Sequence, residues 1–311
     1  MGEQPCERSA YATTEGRLSQ VYPPIRTLSP LSLTVFLVAL LSAVLHAIWN
    51  AATRTRPDPG TAYAAVIVMA GVVSIPIILI YGLPGWEVWP YATVATLINL
   101  VTTRLIMATH RLLPFSVAYP VTRGISPVVV TLAGVVLLGD RIPNAITFAG
   151  ILLISIAVML LAQSGQAQGE KVNVRGLLLA LASGVGLALF TLLDARGARL
   201  SGNAIGYAAM MAIIIAVSTP VMLAFEGVWP KHFLKGNVAF GLGVSVISTL
   251  SYILAVWGLT HGPVGPVAAL RETSVLFAMA IAALMLKEKP GWRRILAAFL
   301  AVAGIGLIRL A

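Results

Sequence analysis

Apolar stretches of about 20 residues, the length that carries a helix across a hydrocarbon core of about 30 Å, recur ten times along the chain. They fall at roughly 31–52, 61–83, 91–110, 115–138, 144–163, 176–195, 204–225, 237–259, 263–286 and 295–311. Short polar segments with the chemistry of turns separate them: Arg56-Pro-Asp-Pro-Gly60, Leu83-Pro-Gly-Trp86, Gly139-Asp-Arg-Ile-Pro143, Ser201-Gly-Asn203 and Lys289-Pro-Gly-Trp292. The pattern predicts an all-α membrane protein of ten transmembrane helices. An even number of spans puts both ends on one side of the bilayer.

Two of these stretches carry the same anchors 148 residues apart. Arg123 corresponds to Arg271, Ser126 to Ser274, Asp140 to Glu288 and Arg141 to Lys289, with an apolar run between the anchors in both copies. The chain therefore divides into a first five-helix repeat over 31–163 and a second over 176–311. An odd number of spans per repeat inserts the second with inverted orientation, a plan used by secondary transporters that rock about a site near the bilayer midplane. Pro114 and Pro120 in the fourth stretch, and Pro263 and Pro266 at the start of the ninth, mark corresponding interrupted helices. Such interruptions point to those two spans as the place of a binding site.

Residues 1–30 have no apolar period, hold four prolines and six charged residues, and read as a disordered tail. The apolar run that follows is too long for the core of a cleaved signal peptide. Elsewhere, 58% hydrophobic and 10% charged residues set the chain far from soluble proteins. The net charge of +10 is spread among the ends of apolar runs and forms no basic stripe, so it reads as headgroup-level flanks and not as a nucleic-acid surface. With the amino terminus inside, 7 basic residues flank the inner ends of the spans and 11 the outer ends, a distribution that leans toward termini outside. One cysteine, Cys6, excludes an internal disulfide and a thiolate metal cluster. Nothing in the sequence calls for a cofactor.

Charges inside a bilayer are costly and mark functional positions by default. Arg104, Arg123, Arg271 and Glu272 are those candidates, with Tyr119 one turn before Arg123. Three arginines against one carboxylate suit a substrate with a carboxylate or phosphate, since a guanidinium pairs with such oxygens through two parallel hydrogen bonds. The alternative is that these arginines snorkel or only support packing. Glu272, read as the only acidic residue in a central position, is placed to exchange a proton, which would make a proton antiporter. Equally, it could neutralise one arginine permanently. In the first span His46, Trp49 and Asn50 share one helical face, a usable lining for an amino or carboxyl group beside an apolar part. Polar stripes at helical spacing also occur at Thr96, Asn99 and Thr103, and at Ser245, Ser248 and Tyr252. Ser and Thr can satisfy themselves on their own helix, so the stripes weigh less than the charges.

The paired spans ending in Leu138-Gly-Asp-Arg141 and Leu286-Lys-Glu-Lys289, each followed by a span rich in Gly or Ala, resemble the EamA repeats of the drug/metabolite transporter superfamily. His46-Ala-Ile-Trp49-Asn50 is similar to a signature in some members. The resemblance covers about 31–311 and implies ten helices in an inverted repeat, a bacterial-type plasma membrane, and secondary export of small metabolites, amino acids among them. It also implies cytoplasmic termini, against the charge distribution. The second copy has Glu272-Thr273 where the first has Gly124-Ile125, so the two halves do not make equivalent sites.

The implied partners are a small-molecule substrate and the lipid bilayer, with room for a homo-oligomer. A multidrug exporter of lipophilic cations is the alternative within the class. Outside it stand a receptor that does not transport and a membrane-embedded enzyme. No zinc-protease helix, serine elbow or phosphate loop supports the enzyme.

Overall fold

The structure, a computed structural model, describes residues 31–141, 143–163, 173–225, 227–286 and 291–311. The tail 1–30 and the segment with Glu288 and Lys289 lie outside these residues. The described residues are 88% helical with no strand. The helices are α1 (Leu33–Arg54), α2 (Pro59–Tyr81), α3 (Trp89–Leu112), α4 (Phe115–Leu138), α5 (Ala145–Gln163), α6 (Val174–Ser201), α7 (Ala204–Ala224), the short α8 (Pro230–Leu234), α9 (Val238–His261), α10 (Val264–Glu272), α11 (Ser274–Leu286) and α12 (Trp292–Leu310). Among the described residues, seven helical segments are long and apolar enough to cross a membrane.

Capping chemistry sets the boundaries. Ser32, Asp58, Asn173 and Asn203 each accept a hydrogen bond from a backbone N–H in the first turn of the helix they precede. Gly139 ends α4 at φ 67°, a left-handed conformation that other residues adopt only with strain. That turn delivers Asp140 back toward the bundle.

Two large apolar clusters hold most of the bundle together. One joins α1, α4, α5, α6, α9, α10, α11 and α12 around Val130, Ile151, Ile154 and Leu270. The other joins α3, α6, α7 and α9 around Tyr207, Met210 and Val256. Small residues let the backbones close up. At the α5–α12 crossing, a methyl added to Gly150 would stand 2.7 Å from the Gly304 carbonyl oxygen, and one added to Gly304 would meet that of Gly150 at 2.7 Å. Backbone cannot swing aside as a side chain does. Gly150→Val should therefore destabilise the protein by about 1–3 kcal/mol, read as a lower midpoint in a thermal melt of the detergent-solubilised chain; an unchanged midpoint would mean the crossing is loose.

Two sequence expectations are corrected here. Pro120 and Pro127 lie within α4, which stays continuous, whereas the ninth stretch is divided at Thr273 into α10 and α11. Neighbouring helices supply the partners that let a membrane helix tolerate proline. And α6 runs on to Ser201 instead of ending near 195, which moves Asp194 inward by about two turns.

Candidate functional site

The break at Thr273 leaves Arg271 and Glu272 as the last two residues of a half-helix that ends inside the bundle. A helix C-terminus favours cations, and the division aims successive side chains into different spaces. Glu272, 6% exposed, turns toward α4. There Arg123 donates from Nη1 to both carboxylate oxygens, at 3.1 and 3.3 Å.

Arg123 is further enclosed. Its Nη2 lies 3.4 Å from His46 Nε2, and its guanidinium stands 5.5 Å from the centre of the Tyr119 ring. His46 meets Trp49 edge-on at 5.2 Å, and Trp49 lies 5.5 Å from Tyr63. The structure thus brings together His46, Trp49, Tyr119, Arg123 and Glu272 from α1, α4 and α10, and adds Tyr63 of α2, which sequence reasoning missed. An exposed-looking tyrosine near a helix start carries no signal of its own.

Arg271 points elsewhere. Its buried Nε has no hydrogen-bond partner among the described residues, and no ion pair joins its guanidinium to them. It lies within electrostatic reach of the Arg123–Glu272 pair and of Asp194 and Tyr252. The Tyr252 hydroxyl donates to Asp194 Oδ2 at 2.7 Å, and Tyr207 stands beside the same carboxylate. Asp194 is 2% exposed and its Oδ1 has no hydrogen-bond partner. Glu272 is therefore not the only interior acid. The signal for Asp194 was its place in an apolar run, hidden because Arg196 and Arg199 close by made the run seem to end there.

Four candidates contribute differently. Asn50 donates to the His46 carbonyl of its own helix, and the Asn99 carbonyl accepts from Thr103 on α3, so neither stripe is aimed as a unit into the site. Ser248 is buried on α9, one turn from Tyr252. Arg104 is exposed, not deep inside. Its Nη2 donates to the Met222 carbonyl at 3.3 Å in an open, apolar cleft of about 610 Å³ between α3 and α7. A long guanidinium side chain can reach along a helix to such a carbonyl, which is why its sequence depth misled.

Asp140, an anchor of the first repeat motif, caps a distant helix. Its Oδ2 accepts from the Val264 N–H at the start of α10 at 2.7 Å, while Arg199 donates to Oδ1 at 2.6 Å and to Oδ2 at 3.4 Å. Arg199 also donates to the carbonyls of Leu259 and Gly262, each at 3.0 Å. These contacts bolt α4, α6 and the α9–α10 turn together at one end of the bundle. Among the described residues no cluster of His, Cys, Asp or Glu could hold a metal ion.

No curated protein matches the chain. Among solved structures 28 chains match. One, described only as the crystal structure of a protein, is similar over 89% of this chain and 95% of its own, with a TM-score of 0.68 at 21% identity. That likeness shows a shared fold. Residues 174–310 match the model of the EamA-like transporter family, and together with the seven long apolar helical segments among the described residues this match indicates an integral, multi-pass membrane protein.

Proposed function

We propose that the protein is a secondary transporter of a small metabolite bearing a carboxylate or a similar anionic group, which Arg271 anchors. The observation that carries this reading is an interior guanidinium left without a hydrogen bond or ion pair among the described residues, beside an arginine that Glu272 already satisfies. An unpaired charge in the interior is expensive, and a site that tolerates it is built for an incoming partner. Trp49, Tyr63 and Tyr119 offer flat walls for the apolar part of such a molecule.

The reading extends to ten spans in two inverted repeats, with export across a bacterial-type plasma membrane. Packing supports the repeats. Exchanging the halves turns the α3–α6 contact into the α9–α1 contact, and the α4–α6 contact into those of α10 and α11 with α1; all are present. The contacts α2–α7 and α5–α12 map onto themselves.

The test is a thermal-shift screen of the purified chain at fixed pH against L-leucine, succinate, inorganic phosphate and tetraphenylphosphonium. A ligand at 100 times its Kd stabilises the folded state by about 2.7 kcal/mol. Stabilisation by an anionic or zwitterionic compound supports the reading. Stabilisation by the lipophilic cation alone overturns it in favour of multidrug export.

A further inference from the structure

The sequence pointed to Glu272 as the proton carrier, but the structure commits that carboxylate to Arg123 through both oxygens. Glu272 is thereby committed to balancing the charge of Arg123. Asp194 has the opposite surroundings. One oxygen is fixed by the Tyr252 hydroxyl at 2.7 Å, the other is unoccupied, and no cation lies within ion-pair distance among the described residues.

The groups that face Asp194 are few. Tyr252 approaches from α9, Tyr207 from α7 and Arg271 from α10. The helices and turn on its other sides bring apolar groups to this stretch of α6: Val88 of the 3-10 turn Trp86–Val88, Ala92 and Ala95 of α3, and Val130 of α4. Two tyrosines supply hydroxyls that can donate to an ionised carboxylate or accept from a neutral acid after rotating. The pocket therefore accommodates either protonation state without moving the backbone.

We infer that Asp194 is the proton-exchange site of this protein, with Tyr252 as its positioning residue and Arg271 as the group that senses its charge. This rests on the transporter reading for its purpose. The step is transfer of a proton from hydronium to Oδ1, releasing water and turning the carboxylate into a carboxylic acid. Charge balance gives the consequence. With Asp194 ionised, two carboxylates, Asp194 and Glu272, balance Arg123 and Arg271. Protonation removes one of them and leaves Arg271 to a substrate anion, so a bound proton and a bound anion favour each other. An accumulated metabolite leaving down its own gradient would then carry a proton with it and move no net charge when it is a monoanion.

The decisive measurement is pH-difference infrared spectroscopy of the full chain in lipid vesicles, which needs no substrate. A carbonyl stretch of a protonated carboxyl group should appear on acidification. It should be absent in Asp194→Asn, remain in Glu272→Gln, and change frequency in Tyr252→Phe, where the hydroxyl that touches the acid is gone but the ring remains. A band that persists in Asp194→Asn, or vanishes in Glu272→Gln, or is missing from the parent protein overturns the assignment. Because the readout is the carboxyl group itself, the assignment can fail while Arg271 still binds an anion, and can hold while it does not.

Discussion

Arg271→Ala should lower affinity for an anionic ligand by about 30- to 4000-fold, while leaving the fold as stable as before or more so. Losing one partner of a buried, hydrogen-bonded charge pair costs about 2–5 kcal/mol, and each 1.4 kcal/mol is about tenfold in affinity. The second half of the expectation is the sharper one. Arg271 gives no hydrogen bond or ion pair to the described residues and its Nε is buried, so truncation removes no polar contact and relieves a partly buried charge. Arg123→Ala should behave in reverse, with a lower melting midpoint, because it strands Glu272 at 6% exposure. Arg271→Lys should retain only part of the affinity, since an ammonium group lacks the planar fork. The check is a binding isotherm and a thermal melt on each variant. Loss of stability in Arg271→Ala, with affinity falling only in proportion to unfolded protein, would make Arg271 a packing residue.

What could be read in advance follows from which physical signals are local. Span positions were legible because apolar length and turn chemistry lie along the chain: the run predicted at 31–52 is Leu33–Arg54 and that at 115–138 is Phe115–Leu138. The pairing of Arg123 with another span was foreseen only as an alternative, because a helix direction around its axis depends on neighbours. An interruption of the ninth stretch was legible, but it was expected at Pro263 and Pro266 and falls instead at Thr273, inside the polar run Arg271-Glu272-Thr273-Ser274. The prolines that seemed to announce a break in α4 did not make one. Asp194 was missed for a related reason. A carboxylate one turn from two arginines resembles a span end until the helix is seen to continue past it.

The largest loss of stability is expected at the Asp140–Arg199 bolt. Asp140 is 7% exposed and answers three donors, two from Arg199 and the Val264 N–H, while Arg199 answers two more carbonyls at the end of α9. Each group satisfies helix ends that would otherwise carry unpaired backbone groups, and each neutralises the other. Asp140→Ala should cost about 3–5 kcal/mol, the range for breaking a buried ion pair from one side, because Arg199 keeps its charge and the Val264 N–H at the start of α10 loses its acceptor. Asp140→Asn should cost less, since the amide oxygen can still accept from Val264. Arg199→Ala in the Asp140→Ala background should add little, as the two act through one contact set, and a double-mutant cycle from thermal melts in detergent measures that coupling. Strict additivity would mean that each residue holds its own helix end independently. Strong coupling has a functional consequence as well: the bolt ties α4 to α6 and to the α9–α10 turn, so any opening of the bundle at this end must break it. Variants that loosen it should shift the resting population toward that opening, which labelling of Ser201→Cys in a Cys6→Ser background by a membrane-impermeant maleimide would register as a faster rate than in the intact bolt.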